Sequence, residues 1–360
     1  MEVTVEQLLY ANYIKYDRMA ALTRQAFAGS DATIVNVYID MHSLLKNLYA
    51  EFYHNTTIKS YVVVAASFIN LCAHIRAYFR SRHRVESRIY LVYGENRGAF
   101  NKKFYYDYSS TWNKTLNAHT EVTELINANL GLIEMLCPYL NDIFFIKTDV
   151  EPGVAIYNRI NKDELIPGLE KVPSIIITKD EKYLSQIPAT KPNVVIYRVC
   201  KKDGEDISYW IASENVWLYN TSNVDNYHMA KDLNPGLLSL FMAMTHVPSR
   251  DVKSSYNTPK ALAKLHELIQ DGYLFNSYNF VPALQYAADQ IQINLKSRSG
   301  PAYDIISKFK AIDIIYQHAA YMETPESKNE SYLIRKIDND GVREINNQYF
   351  KDVPLDLDRL

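Results

Sequence analysis

Six short runs of β-branched and aromatic residues, spaced by stretches of helical periodicity, constrain this chain more than any other feature. The runs are ATIVNVYI (32–39), SRIYLVYG (87–94), DIFFIKT (142–148), PSIIITK (173–179), NVVIYRV (193–199) and ISYWIA (207–212). Between them, SYVVVAASFINLCAHIRAYFRSRH (60–83) and VTELINANLGLIEMLCPYL (122–140) repeat apolar residues every three or four positions. Continuous apolar strands alternating with helices predict a mainly parallel sheet covered on both faces, because a half-solvated sheet would alternate apolar with polar. Beyond about residue 220 the strand signal stops. NPGLLSLFMAMTHV, TPKALAKLHELIQDGYL, FVPALQYAADQIQINL and AYDIISKFKAIDIIYQHAAYM read as helices, several with a Pro in the first turn. The fold class expected is α/β, a mainly parallel sheet flanked by helices and followed by a helical C-terminal region. Residues 326–360 are polar and charged, and are expected to form a partly extended tail.

Composition narrows the class of function. With 360 residues, 48% of them hydrophobic, the chain can bury a core that needs no covalent staples. Basic and acidic residues nearly balance, 39 against 41, so total charge neither requires nor forbids a polyanionic partner. Cys72, Cys137 and Cys200 lie far apart with no C-x-x-C spacing, which favours free thiols over zinc or disulfides. No H-x-x-x-H spacing, Gly-rich phosphate loop or G-x-S-x-G occurs, which argues against zinc hydrolysis, NTPase and serine-hydrolase chemistry. No apolar window reaches the ~18 residues of a membrane span, and the expectation is a soluble intracellular protein.

The acids fall in a pattern. Asp40 closes the first run, Glu95 follows the second, Asp149 and Glu151 follow the third, and Asp180 and Glu181 follow the fourth. In an open parallel sheet these positions share the carboxyl rim where ligands gather. Carboxylates converging there repel one another unless a divalent cation binds them. Two cations roughly 3.5–4 Å apart can activate a water and stabilise the leaving oxygen of a phosphodiester. Each acid taken singly reads more readily as a helix cap, a first-turn residue or a solvated loop residue, and only the ordered set points to a site.

In order along the chain, these segments resemble the 5′-nuclease superfamily of flap endonucleases and 5′→3′ exonucleases, with a PIN-like fold. YIDMHSLLKNLY is similar to the family's first-strand motif, and VYGENRGAFNKKFYYDYSS to its Phe-Asp-Gly motif with the Arg and Tyr-Lys region beyond. DVEPGVAIYNRI stands for Glu-Ala-Asp-Asp-x-Ile, ITKDEKYLSQI for Thr-Gly-Asp-x-Asp, and LLSLFMAMTHVPSRDVKSSYNTPKALAKLHELI for the helix–three-turn–helix segment. The resemblance spans about residues 34–274. It implies a nuclease-fold unit at 1–220, a helical region at 221–325 with a degenerate helix–three-turn–helix, and the tail at 326–360. It also implies Asp40, Glu151 and Asp180 as catalytic and metal-binding acids, with Glu95 as a further ligand and Mg²⁺ as the cofactor. Arg97, Lys102, Lys103, Tyr105, Tyr106 and Lys114 fall in the family's arch, where cations track phosphates and rings stack bases, and the same aromatics read equally as rings that cover the sheet or meet a protein partner. Lys260 and Lys264, one turn apart, read either as phosphate contacts at a helix start or, more simply, as a solvated helix face.

The departures fall on the chemistry. Tyr93 stands at the Phe-Asp-Gly acid, Gly153 and Val154 at the Asp pair after the family Glu, and Lys182 at the second Asp of the fourth motif. Tyr256 and Thr258 replace hairpin glycines that let backbone approach phosphate. The expectation is a flap-endonuclease-like protein that has lost most or all catalysis and serves as a DNA-binding or assembly component, with a large DNA virus or phage as the source suggested by composition. An active Mg²⁺-dependent 5′ nuclease with ligands rearranged among Glu95, Asp107, Asp149, Glu181 and Asp251 is the alternative. A structural component that binds only protein partners is a second.

Overall fold

The computed structural model describes residues 23, 24, 26, 27, 30–45, 62–94, 102, 103, 105, 106, 120–148, 150–163, 172–178, 194–198, 209–211, 217, 218, 235–245, 254–272, 281–295, 298, 300, 303–312, 339–350, 355, 356 and 359. Within them, seven strands form one sheet: β1 Ile34–Asp40, β2 Glu86–Gly94, β3 Ile143–Thr148, β4 Ser174–Thr178, β5 Val194–Arg198, β6 Tyr209–Ile211 and β7 Trp217–Leu218. Their order is β3-β2-β1-β4-β5-β6-β7. The first five are parallel, and β6 and β7 add antiparallel. The mainly parallel sheet expected from the continuous apolar runs is therefore present.

The connections explain why those runs are apolar throughout. The path from β1 to β2 passes through α1 (Val63–His83), and that from β2 to β3 through α2 (Thr120–Leu136). The path from β3 back across to β4 passes through α3 (Pro152–Asp163), which packs on β1 and β2. Reversing direction along the sheet while keeping right-handed crossovers puts α3 on the face opposite α1 and α2. Odd-numbered residues of the central strands, such as Val37, Ile39, Leu91 and Ile177, join the core with α1 and α2. Even-numbered ones, such as Tyr38, Tyr90, Val92 and Ile176, join the core with α3. Tyr38, Tyr90 and Phe144 stand abreast in register on this second face and stack, with ring centroids 4.8 and 5.1 Å apart. The Arg159 guanidinium lies 5.6 Å from the Tyr90 centroid and closes the stack from α3.

Polar side chains join the elements on the first face. Asn129 of α2 accepts the Ala65 N–H at 2.9 Å, supplying a cap to the first turn of α1. Arg80, Arg82 and His83 crowd the last turn of α1, where cations suit the helix dipole.

The second face is completed by α4 (Pro235–Met244), α5 (Thr258–Gln270), α6 (Val281–Asn294) and α7 (Ile305–Ile312), all anticipated by helical spacing. The C-terminal residues differ from the expected extended tail. Residues Asn339–Tyr349 form a helix, α8, and Phe350 and Leu355 bury into the α1/α2 core. The backbone N–H groups of Asp356 and Leu355 donate to Asn70 and Asn346 at 2.7 and 3.2 Å. The segment reads as polar because only one face of its helix, Val342 and Ile345, is turned inward.

Candidate metal and nucleic-acid site

With β1 central and the chain running to β2 on one side and β4 on the other, the carboxyl ends of β1 and β4 form the topological switch point. Asp40 ends β1 there and is 3% exposed. It lies on the same face as Tyr38, by the two-residue alternation of a strand. Its Oδ1 accepts the Ser43 N–H at 3.1 Å, so it caps the helical turn at 41–45. Its Oδ2 accepts the Thr178 hydroxyl, from the end of β4, at 2.9 Å. The Ser43 hydroxyl stands 3.2 Å from that of Thr178 and donates to the Asp40 carbonyl at 3.1 Å. Two strands and a helix start are thereby tied at one carboxylate.

Glu151 reaches the same rim from β3. It is 5% exposed, and its carbonyl accepts the N–H groups of Val154 and Ala155, placing its carboxylate at the positive end of the α3 dipole. Pro152 occupies the first helical position. The loop lies directly over the end of β2, because a Cβ on Gly94 would collide with the Val150 carbonyl and stand 2.9 Å from Pro152 Cδ. Gly94 pairs with Thr148 in the sheet, and the Thr148 hydroxyl accepts the Val150 N–H at 3.2 Å.

These two acids suit a hard divalent cation by donor chemistry and burial, with water completing the shell. Among the described residues, no three His, Cys, Asp or Glu side chains gather closely enough to hold a metal ion. Asp180, Glu95, Asp107, Asp149, Glu181, Lys182 and Asp251 lie outside the described residues.

Tyr93, at the position of a family acid, is 2% exposed and joins the α1/α2 core, its ring 6.0 Å from that of His42. Val154 is 1% exposed in the opposite core. Lys102 and Lys103 are exposed, and Tyr106 is 88% exposed. Tyr105 corrects the expectation of a base-stacking ring. It is 3% exposed and packs in the core with Tyr90, Val92 and Val150. Adjacent tyrosines in an irregular segment carry no periodicity to say which one turns inward. Arg97 and Lys114 lie outside the described residues. Lys260 is exposed in the first turn of α5, whose start is capped by Asn257 accepting the Lys260 N–H at 3.1 Å.

Three positioning residues were not marked by the sequence reading. Ser43 follows Asp40 at the third-residue spacing of an N-cap, a legible signal. Thr178 is a hydroxyl closing an apolar strand, legible once β4 is placed beside β1. The tight approach at Gly94 needs the three-dimensional structure.

The chain shares its overall fold with a solved flap endonuclease. It is similar to the flap endonuclease of bacteriophage T5, in a pseudo-enzyme–product complex with DNA and metal ions, at a TM-score of 0.50 and 11% identity over 88% of this chain and 97% of that one. The catalytic core of Rad2 with a DNA substrate matches at a TM-score of 0.46 and 10% identity, over 93% of each chain. No protein-family model and no curated protein matches the sequence. No helix among the described residues is long and apolar enough to cross a membrane.

Proposed function

We propose that this chain is a DNA-binding protein of the flap-endonuclease fold whose catalytic centre is reduced, holding at most one divalent cation. The observation that carries the reading is the contrast at the rim. Asp40 and Glu151 are buried there, whereas Val154, at a position the resemblance assigns to an acid, is committed to core packing on the face that carries Asp40. A second metal needs further carboxylates, and in the resembled family's spacing Lys182 brings a competing ammonium instead. DNA binding is supported by exposed Lys102, Lys103 and Tyr106 beyond β2 and by Lys260 at the start of α5 within the degenerate helix–three-turn–helix.

The active-nuclease reading is favoured by the burial of two carboxylates at one rim, which is costly unless cations or hydrogen bonds offset it. Incubating the protein with a 5′-flapped duplex and Mg²⁺ or Mn²⁺ separates the two. The proposal expects binding that weakens steeply with salt and no turnover above that of an Asp40→Ala variant. Metal-dependent cleavage abolished by Asp40→Ala would establish the enzyme, and salt-independent failure to bind would leave a protein-partner role.

A further inference from the structure

Lys308, in the middle of α7, is 0% exposed, an unusual place for a lysine. Its Nζ donates to the Ser255 hydroxyl at 2.8 Å. Burial pushes its pKa down to about 7, opposed by the Asp304 carboxylate one turn earlier. Ser255 lies in the segment between α4 and α5, where the Ser255 and Tyr256 N–H groups both donate to the Met244 carbonyl at 2.9 Å. Two residues later Asn257 caps α5 and fixes the backbone of Lys260. On the other side α7 is itself anchored, since Ile305 N–H donates to Gln292 of α6 at 2.7 Å. Two hydrogen bonds, Ile305 to Gln292 and Lys308 to Ser255, therefore tie α6 and α7 to the segment that leads, two residues on, into the capped start of α5.

We infer that Lys308 is a positioning residue for DNA contact: from the core, through Ser255, it holds the segment that sets where α5 begins and presents Lys260. The inference rests on the DNA-binding reading above. A fully buried lysine is costly to fold around, and replacing it with an apolar side chain of similar length commonly leaves stability equal or higher. If its stem served packing alone, Lys308→Met would leave both the fold and the interface intact.

The test is fluorescence anisotropy of a fluorescein-labelled 5′-flapped duplex titrated with the full chain, alongside melting temperatures. Lys308→Met is expected to weaken binding about threefold to tenfold while its melting temperature is equal or higher. Ser255→Ala, which cuts the same bond at a partly exposed position, is expected to weaken binding comparably. Because the effect passes through Lys260, neither change is expected to weaken binding further in a Lys260→Ala background. Wild-type affinity in Ser255→Ala or in a folded Lys308→Met, or losses that add in full to that of Lys260→Ala, would overturn the inference. Wild-type protein with no salt-dependent binding would overturn the DNA-binding reading, and the inference with it.

Discussion

The two faces of the sheet have been put to different uses. The face under α1 and α2 is apolar along the central strands, and its polar contacts, such as Asn129 to Ala65 and Asn70 to Asp356, join an asparagine side chain to the backbone of another segment. The face under α3 carries Asp40, Thr178, the Arg159-capped aromatic stack and the helices that enclose Lys308. The same strands supply both, since alternate residues point to opposite sides. One side of a sheet can thus be given to stability while the other carries charges that cost stability. Tyr93 shows the rule enforced: at a position the resemblance assigns to an acid, it belongs to the packing face and is packed.

The comparison can be broken first on the packing face. Phe350 is 0% exposed in the α1/α2 core, and Phe350→Ala is expected to cost about 3–5 kcal/mol in urea unfolding, with salt-dependent DNA binding of the folded protein unchanged. Equal losses in stability and affinity would show that the faces are not separable.

A smaller effect comes from Lys308. Its folded pKa, about 7, lies below the ordinary value of 10.5, so the unfolded chain holds the proton more tightly between those values. Stability is therefore lowest below about pH 7 and rises as pH increases toward 10.5, by on the order of a few kcal/mol. Unfolding free energies across this window should show the rise in wild type and its loss in Lys308→Met.

The smallest effects sharpen the contrast with two glycines. Gly94→Ala drives a methyl into the loop that carries Glu151 and is expected to cost about 1–3 kcal/mol by thermal melting. Gly131→Ala, in the open on α2, is expected to stabilise by about 0.5–1 kcal/mol. Opposite signs for the same substitution would mark which backbone lies against a site.

Much of this architecture was legible in the residues. The apolar runs placed β1 to β6 to within about two residues, because a strand buried on both sides has no polar positions to blur its ends. Asp40 and Glu151 were legible because each follows such a run, and the rim is where runs end. What escaped depends on contacts between segments distant in the chain. The Thr178 bond to Asp40 spans 138 residues, and the clasp of Asn70 on Asp356 spans 286. The C-terminal helix reads as tail because its inward-facing residues, Val342 and Ile345, are few among many polar ones. Nothing local marked Tyr105 as the inward member of its pair with Tyr106.

The clasp on Asp356 has a bearing on synthesis. Phe350 and Leu355 fill a hollow lined by α1 and α2, in a chain that leaves the ribosome N-terminal end first. Until the segment at 350–356 has emerged, that hollow stays open and greasy, and the nascent sheet must wait, shielded or at risk of sticking to its neighbours, for this piece.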